Sequence, residues 1–494
     1  MNERDVERFH TVVVGAGSGG LTVAVGLARL GRRVALVESA HVGGDCTNVG
    51  CVPSKTLIGL AQRVAALPVE ERQAAAVAAL AETRRRRDAL RAHEEGWLAD
   101  LADLTLVRGH ARLVRARGAT PDVLVTAVDG SEQRLRARRV VLATGSQALV
   151  PELPGLRSDD GQPPTVLTNA TVFDLRSSPS HLALMGAGVI GCELAFAFAR
   201  LGSRVTLLEM ADRVLPASEA AASSVVHARL EALGVSVMTD TTVRGFDAAT
   251  NTVEVTRAAA GAAGETTTVS GVDRLLVAVG RRPASEGLGL KEVGVRLDGR
   301  GAVIVDGAYR TTAAGVFAIG DLIGGAFTHV AHAHGRRLVR YLTLPLPLVR
   351  EGDHSYVAFT EPEVGQVGPT LAQLRRRWPD QLLAVHKVNL ADTDRGLTMG
   401  LRDGFVQLVA LRGSGRLLAA TVVAPDAAEM LPLLTWAQRR RVSLWQLSRL
   451  EVAYPALSEA VRQAADAFVF ASLPRLHREL GAYLRWRWQR SSGS

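Results

Sequence analysis

Two stretches of the chain repeat one pattern of apolar and glycine positions. Thr11–Val14 is an apolar run of strand length, followed by Gly15-Ala16-Gly17-Ser18-Gly19-Gly20. Leu21–Leu30 then reads as a helix, Gly31 stops it, and Val34–Val37 is a second apolar run ending at Glu38. The same series returns at His181–Met185, Gly186-Ala187-Gly188-Val189-Ile190-Gly191, Glu193–Leu201, Gly202 and Val205–Leu208, ending at Glu209. Each series predicts strand, tight turn, helix and strand. In such a unit the first glycine makes the turn, the second lets the backbone approach a pyrophosphate, and the third lets helix pack on strand. The phosphates sit at the helix N-terminus, where uncovered N–H groups and the helix dipole favour negative charge. Gly15, Gly17 and Gly20 with Glu38, and Gly186, Gly188 and Gly191 with Glu209, therefore form two dinucleotide sites, each acid placed on a ribose hydroxyl. One glycine loop of this kind is a weak signal; two, each complete with strand, helix and terminal acid, are a strong one.

Elsewhere, residues 56 to about 100 read as helical and highly charged, with Arg84–Arg87 on a solvated face. Val140–Ala143 is a buried strand ending in the turn Thr144-Gly145-Ser146. Leu275–Val279 followed by Gly280-Arg281-Arg282-Pro283 has the same form, and Gly315–Asp321 is a further apolar strand ending in a glycine and an acid. The two dinucleotide folds are thus nested or consecutive. After about residue 350 the pattern changes to alternating strands, then helices from 426 onward. The expected fold class is α/β, with two Rossmann-like domains and a C-terminal α+β domain. The expected divisions are 1–150 and 281–350 for the first fold, 151–280 for the second, 351–470 for the C-terminal domain and 471–494 for a basic tail. That tail reads either as an amphipathic helix on a membrane surface or as a subunit-packing helix, and the second reading is preferred.

Composition narrows the function classes. No apolar run in the 494 residues approaches the roughly 18 that a membrane span needs. The charged N-terminus lacks a signal-peptide pattern, so a cytoplasmic protein is expected. The net charge of +9 is almost all arginine, spread along the chain, and no zinc-finger, RNP-type or basic-region pattern accompanies it, which argues against nucleic acid. Three cysteines are too few for a disulfide-stapled scaffold, so any disulfide here would serve catalysis.

Two of those cysteines lie in Gly43-Gly44-Asp45-Cys46-Thr47-Asn48-Val49-Gly50-Cys51-Val52, followed by Pro53-Ser54-Lys55. Cysteines with four residues between them, flanking glycines and a lysine just beyond are not a packing pattern. Lysine occurs elsewhere only at Lys291 and Lys387. Its presence here, in a chain that otherwise prefers arginine, marks a place where a compact ammonium is needed. Cys192 reads as a small buried residue on a helix.

With these motifs, the Ala143-Thr144-Gly145 and Ala318-Ile319-Gly320-Asp321 segments, and Phe359-Thr360-Glu361-Pro362-Glu363-Val364, the chain from about residue 10 to 470 resembles the flavoprotein disulfide reductases. This pyridine nucleotide–disulfide oxidoreductase group includes dihydrolipoamide dehydrogenase, glutathione reductase and mercuric reductase. The resemblance implies FAD held by Gly15, Gly17, Gly20, Glu38, Gly44, Lys55, Ala111, Thr144, Gly145, Asp321 and Thr328. It implies a nicotinamide cofactor held by Gly186, Gly188, Gly191, Glu209, Gly280 and Arg281. It also implies a Cys46–Cys51 redox disulfide with Cys51 beside the flavin and Cys46 toward substrate, a Lys55–Glu193 pair near the flavin, and a homodimer formed through the C-terminal domain. An acid at Glu209 accepts from a ribose 2′-hydroxyl and repels a 2′-phosphate, so NADH is preferred over NADPH, with Arg213 as the residue that could still meet a phosphate.

The family's disulfide and dithiol reductases end in His-Pro-Thr-x-x-Glu, where the histidine moves the proton of the substrate-side thiol. Here the stretch is Tyr454-Pro455-Ala456-Leu457-Ser458-Glu459. Glu459 remains, but a phenol of pKa about 10 is a poor base at neutral pH. Mercuric reductases also carry tyrosine near this place, yet they have a further cysteine pair near the C-terminus, and no cysteine follows Cys192 here. His329, His332 and His334 fit either a metal site or a helix near the flavin; the second reading is preferred, and no metal ligands are assigned. The expected function is electron transfer from NAD(P)H through FAD and the cysteine pair to an unidentified small acceptor: a disulfide, a quinone or a soft metal ion. A dihydrolipoamide dehydrogenase-type enzyme, and a redox sensor with incidental catalysis, are the alternatives.

Overall fold

The computed structural model describes residues 7–116, 118–157, 165–259, 262–325, 327–344 and 355–474. The basic tail expected at 471–494 lies outside them from residue 475 onward. The chain forms two units: residues 1–210 with 233–350, and residues 211–232 with 351–494.

The first unit opens as the glycine pattern predicts: β1 (Glu7–Val14), α1 (Ser18–Ala28) and β2 (Val34–Glu38). The cysteine motif follows as α2 (Gly44–Asn48) and α3 (Cys51–Ala65). The expected single helical stretch is then broken at Pro68, which cannot donate a helix hydrogen bond, and the chain resumes as the 31-residue α4 (Val69–Ala99). Next come β3 (Leu104–Arg108), β4 (His110–Val114), β5 (Asp122–Thr126) and β6 (Glu132–Leu142). The sheet runs β3-β2-β1-β6-β5-β4. The eleven-residue β6 joins two textures: its first half pairs antiparallel with β5, its second half parallel with β1.

After the short β7 (Ser146–Ala148) and β8 (Val166–Leu167), the second glycine unit forms β9 (His181–Met185), α5 (Val189–Arg200) and β10 (Arg204–Leu208). Beyond α6 (Ala220–Ala232), β11 (Ser236–Met238) completes one side of an all-parallel sheet. β12 (Thr241–Asp247), β13 (Thr252–Ala259) and β14 (Ala262–Ser270) make a separate antiparallel sheet. β15 (Arg274–Val277) then inserts beside β9, giving the order β11-β10-β9-β15-β8. β16 (Arg281–Pro283) pairs antiparallel with β7, and β17 (Val316–Ala318) returns to pair parallel with β6. The second fold is therefore inserted within the first. α7 (Thr328–Thr343) closes this unit.

The second unit holds β18 (Tyr356–Ala358), β19 (Glu363–Val367), β20 (Leu383–Asn389), β21 (Phe405–Leu411) and β22 (Leu417–Ala424) in an antiparallel sheet of order β18-β19-β22-β21-β20. Helices Ala427–Arg439 and 459–474 supply Leu431, Leu434, Val461 and Phe468 to one core with Val406, Leu408 and Val422. Residues 211–232, expected within the second fold, group with this unit instead: Ser218 Oγ bonds Tyr356 Oη at 2.7 Å, and Glu219 accepts from the Leu371 N–H. The Arg84–Arg87 run is only half solvated. Arg85 and Arg86 pair with Glu82, while Arg84 donates to the Leu175 carbonyl and Arg87 pairs with Asp174.

The two glycine loops have the same internal geometry. Gly15 and Gly186 take φ of +100° and +102°, a region open to glycine. A Cβ on Gly20 would lie 1.9 Å from the Gly15 oxygen, and one on Gly191 would lie 1.9 Å from the Gly186 oxygen. The obstacle in each case is backbone, which no side-chain rearrangement relieves. Gly20→Ala and Gly191→Ala should each destabilise the protein by about 1–3 kcal/mol, measured as a fall in denaturant midpoint at unchanged slope.

Candidate active site

The cysteine motif is tied to the first glycine loop through the backbone. The Gly43 N–H donates to the Ala16 carbonyl at 2.9 Å. A Cβ on Gly44 would lie 2.6 Å from the Gly17 Cα, so the motif's glycine is where the two segments touch. Gly50 plays the same part within the motif: a Cβ there would lie 2.8 Å from the Asp45 oxygen and 3.4 Å from the Cys46 Cα. Glycines beside each cysteine thus let the two thiol-bearing segments fold onto one another.

Cys46 and Cys51 are half-buried free thiols whose side chains hydrogen-bond to each other. Thr328, the first residue of α7, places its Oγ1 3.3 Å from Cys51 Sγ. The hydrogen bond from Cys46 lowers the Cys51 pKa most; burial opposes it, and the Thr328 hydroxyl and then the Lys55 ammonium lower it further, to about 6. Cys51 is also the first residue of the 15-residue α3, at the positive end of the helix dipole, which acts in the same direction. The bond to Cys51, together with burial, pushes Cys46 far up, so Cys46 keeps its proton. Of the two thiols, Cys51 is the one whose surroundings favour the thiolate.

Lys55, one turn beyond Cys51, places Nζ 2.7 Å from Glu193 Oε2. Glu193 lies on α5 with its side chain 3% exposed, whereas Lys55 is 32% exposed. A buried carboxylate needs such a partner, and the bond joins the cysteine helix to the second glycine unit. Cys192, its neighbour, is buried and donates to the Ala187 carbonyl at 3.2 Å, as a structural thiol.

The remaining residues expected at the flavin have the following partners. Glu38 accepts from the Ala16 and Ala40 N–H groups, both at 2.7 Å. Asp321 accepts from Ser146 Oγ at 2.7 Å, and burial raises its pKa. Thr144 donates to the Ala284 carbonyl, Gly145 takes φ of +73°, and Ala111 sits half-buried in β4. In the second loop Glu209 accepts from the Ala187 N–H at 2.6 Å, the counterpart of Glu38. Gly280 takes φ of +140°. Arg281, expected in the nicotinamide set, donates from its guanidinium to Ser146, Asn169 and Asp45. Arg213 pairs with Asp212. The three histidines do not converge. His332 Nδ1 lies 2.8 Å from Thr22 Oγ1, His334 Nδ1 accepts from the Gly320 N–H, and His329 stacks on Phe327.

The uncapped start of α1 at Gly17, the absence of room for a Cβ at Gly20 or Gly44 and the carboxylate of Glu38 form a cradle that fits a dinucleotide, and the second loop repeats it. In the second unit, Tyr454 is exposed and donates its hydroxyl to Asp394 Oδ2 at 3.0 Å, which raises its pKa above the usual phenol value. Glu459 pairs with Arg462 at 2.9 Å, so Tyr454 and Glu459 have separate partners. Sequence reasoning missed Asp45, Asn169 and Ser18, whose hydroxyl bonds Cys46. An aspartate inside a glycine-rich cysteine motif was the one available signal.

Residues 9–335 match the family described as Pyridine nucleotide-disulphide oxidoreductase, and residues 354–465 match its dimerisation domain. The chain belongs to this family. It is 31% identical to the dihydrolipoyl dehydrogenase of Geobacillus stearothermophilus over 487 residues, covering 92% of this chain and 95% of that one. It is 32% identical to the mercuric reductase of Acidithiobacillus ferrooxidans over 481 residues, covering 94% and 83%. Among solved structures, the Cu(II) complex of the HOCl-induced flavoprotein disulfide reductase RclA from Escherichia coli aligns with a TM-score of 0.82 at 27% identity, covering 94% of this chain and all of that one. LpdA from Mycobacterium tuberculosis aligns with a TM-score of 0.81 at 26% identity, covering 94% and 99%. The protein is thus a flavoprotein oxidoreductase that moves electrons from a pyridine nucleotide through FAD and a redox disulfide, and its dimerisation domain makes it a homodimer. Among the described residues no helix is long and apolar enough to cross a membrane.

The order of contributions at Cys51 sets a pH test on the reduced protein, read by ultraviolet thiolate absorbance. Thiolate should form with a midpoint near pH 6, be lost as pH falls through that value, and vanish in Cys51→Ser. Thr328→Val and, less strongly, Lys55→Met should move the midpoint up; Glu193→Gln should move it down, because the Glu193 charge opposes the thiolate.

Proposed function

We propose that the protein is an NADH-dependent reductase whose working couple is Cys46–Cys51 and whose acceptor is a quinone or a soft metal ion rather than a thiol-exchange disulfide. The observation that carries this reading is at the position where the family's thiol reductases place a proton-moving histidine: tyrosine stands at 454, with its hydroxyl donated to Asp394 Oδ2 at 3.0 Å. FAD, when bound, would supply two-electron transfer between the nicotinamide and the disulfide. Gly15, Gly17, Gly20, Glu38, Gly44, Ala111, Thr144, Gly145, Asp321 and Thr328 would hold it, with Lys55 and Glu193 setting the charge beside it. Gly186, Gly188, Gly191, Glu209 and Gly280 would hold the nicotinamide cofactor. Glu209 at the end of β10 favours NADH, since its carboxylate repels a 2′-phosphate.

The acceptor follows from proton chemistry. A neutral Cys46 thiol is a weak nucleophile toward a disulfide, so thiol exchange needs a base. The family's histidine would be that base, but tyrosine stands at 454. Its hydroxyl is held by Asp394 with a raised pKa, so it donates a hydrogen bond and does not remove a proton at neutral pH. A quinone takes its electrons without thiol exchange. A soft metal ion displaces the thiol proton as it binds sulfur. The relatives named dihydrolipoyl dehydrogenase keep the thiol-exchange reading as the second choice. The proposed setting is the cytoplasm, where thiols stay reducible.

Anaerobic titration with NADH, followed by visible absorbance, tests the couple. A long-wavelength band after two electrons, absent in Cys51→Ser, is the expected result; bleaching without the band would remove the cysteines from the circuit. Steady-state turnover should favour NADH over NADPH, and Glu209→Ala should narrow that preference. Quinone or soft-metal reduction should exceed dihydrolipoamide oxidation, and Tyr454→His should raise the dihydrolipoamide rate at least several-fold. A wild-type protein that oxidises dihydrolipoamide faster than it reduces any quinone or metal ion would overturn the acceptor assignment.

A further inference from the structure

Between the two cysteines, Thr47 and Asn48 end α2, and Val49 and Gly50 link it to α3. Val49 ends the five-residue α2 with φ −141° and ψ 15°, and Gly50 precedes α3 with φ −132° and ψ −116°. Two side chains from distant stretches of chain, Arg281 and Asn169, also grip this segment. Arg281 on β16 donates from Nη2 to Asp45, the residue before Cys46. From Nη1 it donates to Asn169 Oδ1 at 3.3 Å. Asn169 in turn donates from Nδ2 to the Val49 carbonyl at 3.2 Å. Arg281 is itself anchored by Nε to Ser146 Oγ at 2.8 Å and by Nη2 to the Ser146 carbonyl at 2.6 Å, and Ser146 Oγ donates a hydrogen bond to Asp321 at 2.7 Å. Every nitrogen of the guanidinium is used, and the two ends of the cysteine segment are held through one planar group, which a lysine could not reproduce.

We infer that Arg281, Asp45 and Asn169 form a latch that holds the Cys46–Cys51 segment in the geometry from which its disulfide closes, so that Arg281 is a positioning residue for the couple and not a nicotinamide contact. This rests on the reading of Cys46 and Cys51 as the redox couple. A held segment presents the two sulfurs to each other at high effective concentration, and releasing it disfavours ring closure. Closing the disulfide on an external disulfide forms one S–S bond, breaks another, and passes two electrons to the external sulfurs, which take one proton from Cys46 and, with Cys51 as the thiolate, one from solvent. The equilibrium constant of that exchange measures the latch directly.

The test equilibrates the FAD-loaded dimer anaerobically in graded glutathione buffers, quenches with acid, and reads Cys46 and Cys51 by alkylation and mass spectrometry. Asp45→Ala, Arg281→Ala and Arg281→Lys should each lower the disulfide-formation constant about tenfold, equivalent to about 30 mV for a two-electron couple. The Asp45→Ala/Arg281→Ala double variant should fall no further, the signature of two residues acting as one unit. Asn169→Ala should fall in the same direction. If the variants titrate with the wild type, the latch is wrong. If Arg281→Ala raises the NADH KM while the exchange constant stays put, Arg281 is a nicotinamide contact. If the wild-type cysteines do not titrate together as one couple, the underlying redox reading falls along with the latch, and that failure is visible before any variant is made. Asp45→Ala keeps the test available should Arg281 variants not fold, because the Asp45 side chain is half-exposed.

Discussion

Glu193 is a carboxylate with 3% of its side chain exposed, and a buried carboxylate persists only where a cation or donors meet it. Lys55 Nζ meets it at 2.7 Å, and much of the active unit is organised around that requirement. Lys55 lies one turn along the helix that begins at Cys51, while Glu193 lies on the helix that begins at the second glycine loop. Satisfying one buried charge therefore docks the cysteine helix against the inserted dinucleotide fold, and the same ammonium favours the Cys51 thiolate. Structural need and redox chemistry converge on one side chain, in a chain that uses arginine almost everywhere else.

The thiol pair shows how proximity divides charge. Two thiols that hydrogen-bond to each other cannot both ionise cheaply, so ionising one suppresses the other. Thr328 and Lys55 bias the charge toward Cys51, which also sits at a helix start. Cys46 is left neutral on the segment whose other end the Arg281–Asn169 contacts grip. A couple built this way stores an electron pair with a single net charge, and its reactivity toward an acceptor depends on what can take the Cys46 proton. Tyr454, at the position where the family's thiol reductases carry a histidine, is itself bonded to Asp394.

The glycine loops were legible because their constraint is local. A turn with φ near +100° and a backbone oxygen 1.9 Å from where a Cβ would stand admits glycine alone, so the residue type records the geometry. The strands His181–Met185 and Arg204–Leu208 stand within a residue of where apolar runs place them, since a strand buried on both faces is largely apolar. Less legible were features set by distant partners. The Arg84–Arg87 run reads as a solvated face, yet Arg84 and Arg87 dock on residues 174–175. Residues 211–232 follow the second fold in sequence but group with the C-terminal unit, because Ser218 and Glu219 find their partners there.

What the sequence determined by itself was the menu of chemistry: two dinucleotide cradles, a cysteine pair, a lysine beside it, and a tyrosine where a base was expected. Each is a short-range pattern whose residue types answer to local backbone geometry or intrinsic acidity. Only the tertiary structure decided that the second fold is inserted within the first and that Arg281 bonds Asp45 and Asn169. Those outcomes depend on side chains more than a hundred residues apart arriving within hydrogen-bond distance, as Arg281 and Asp45 do, and no periodicity or composition encodes such a distance.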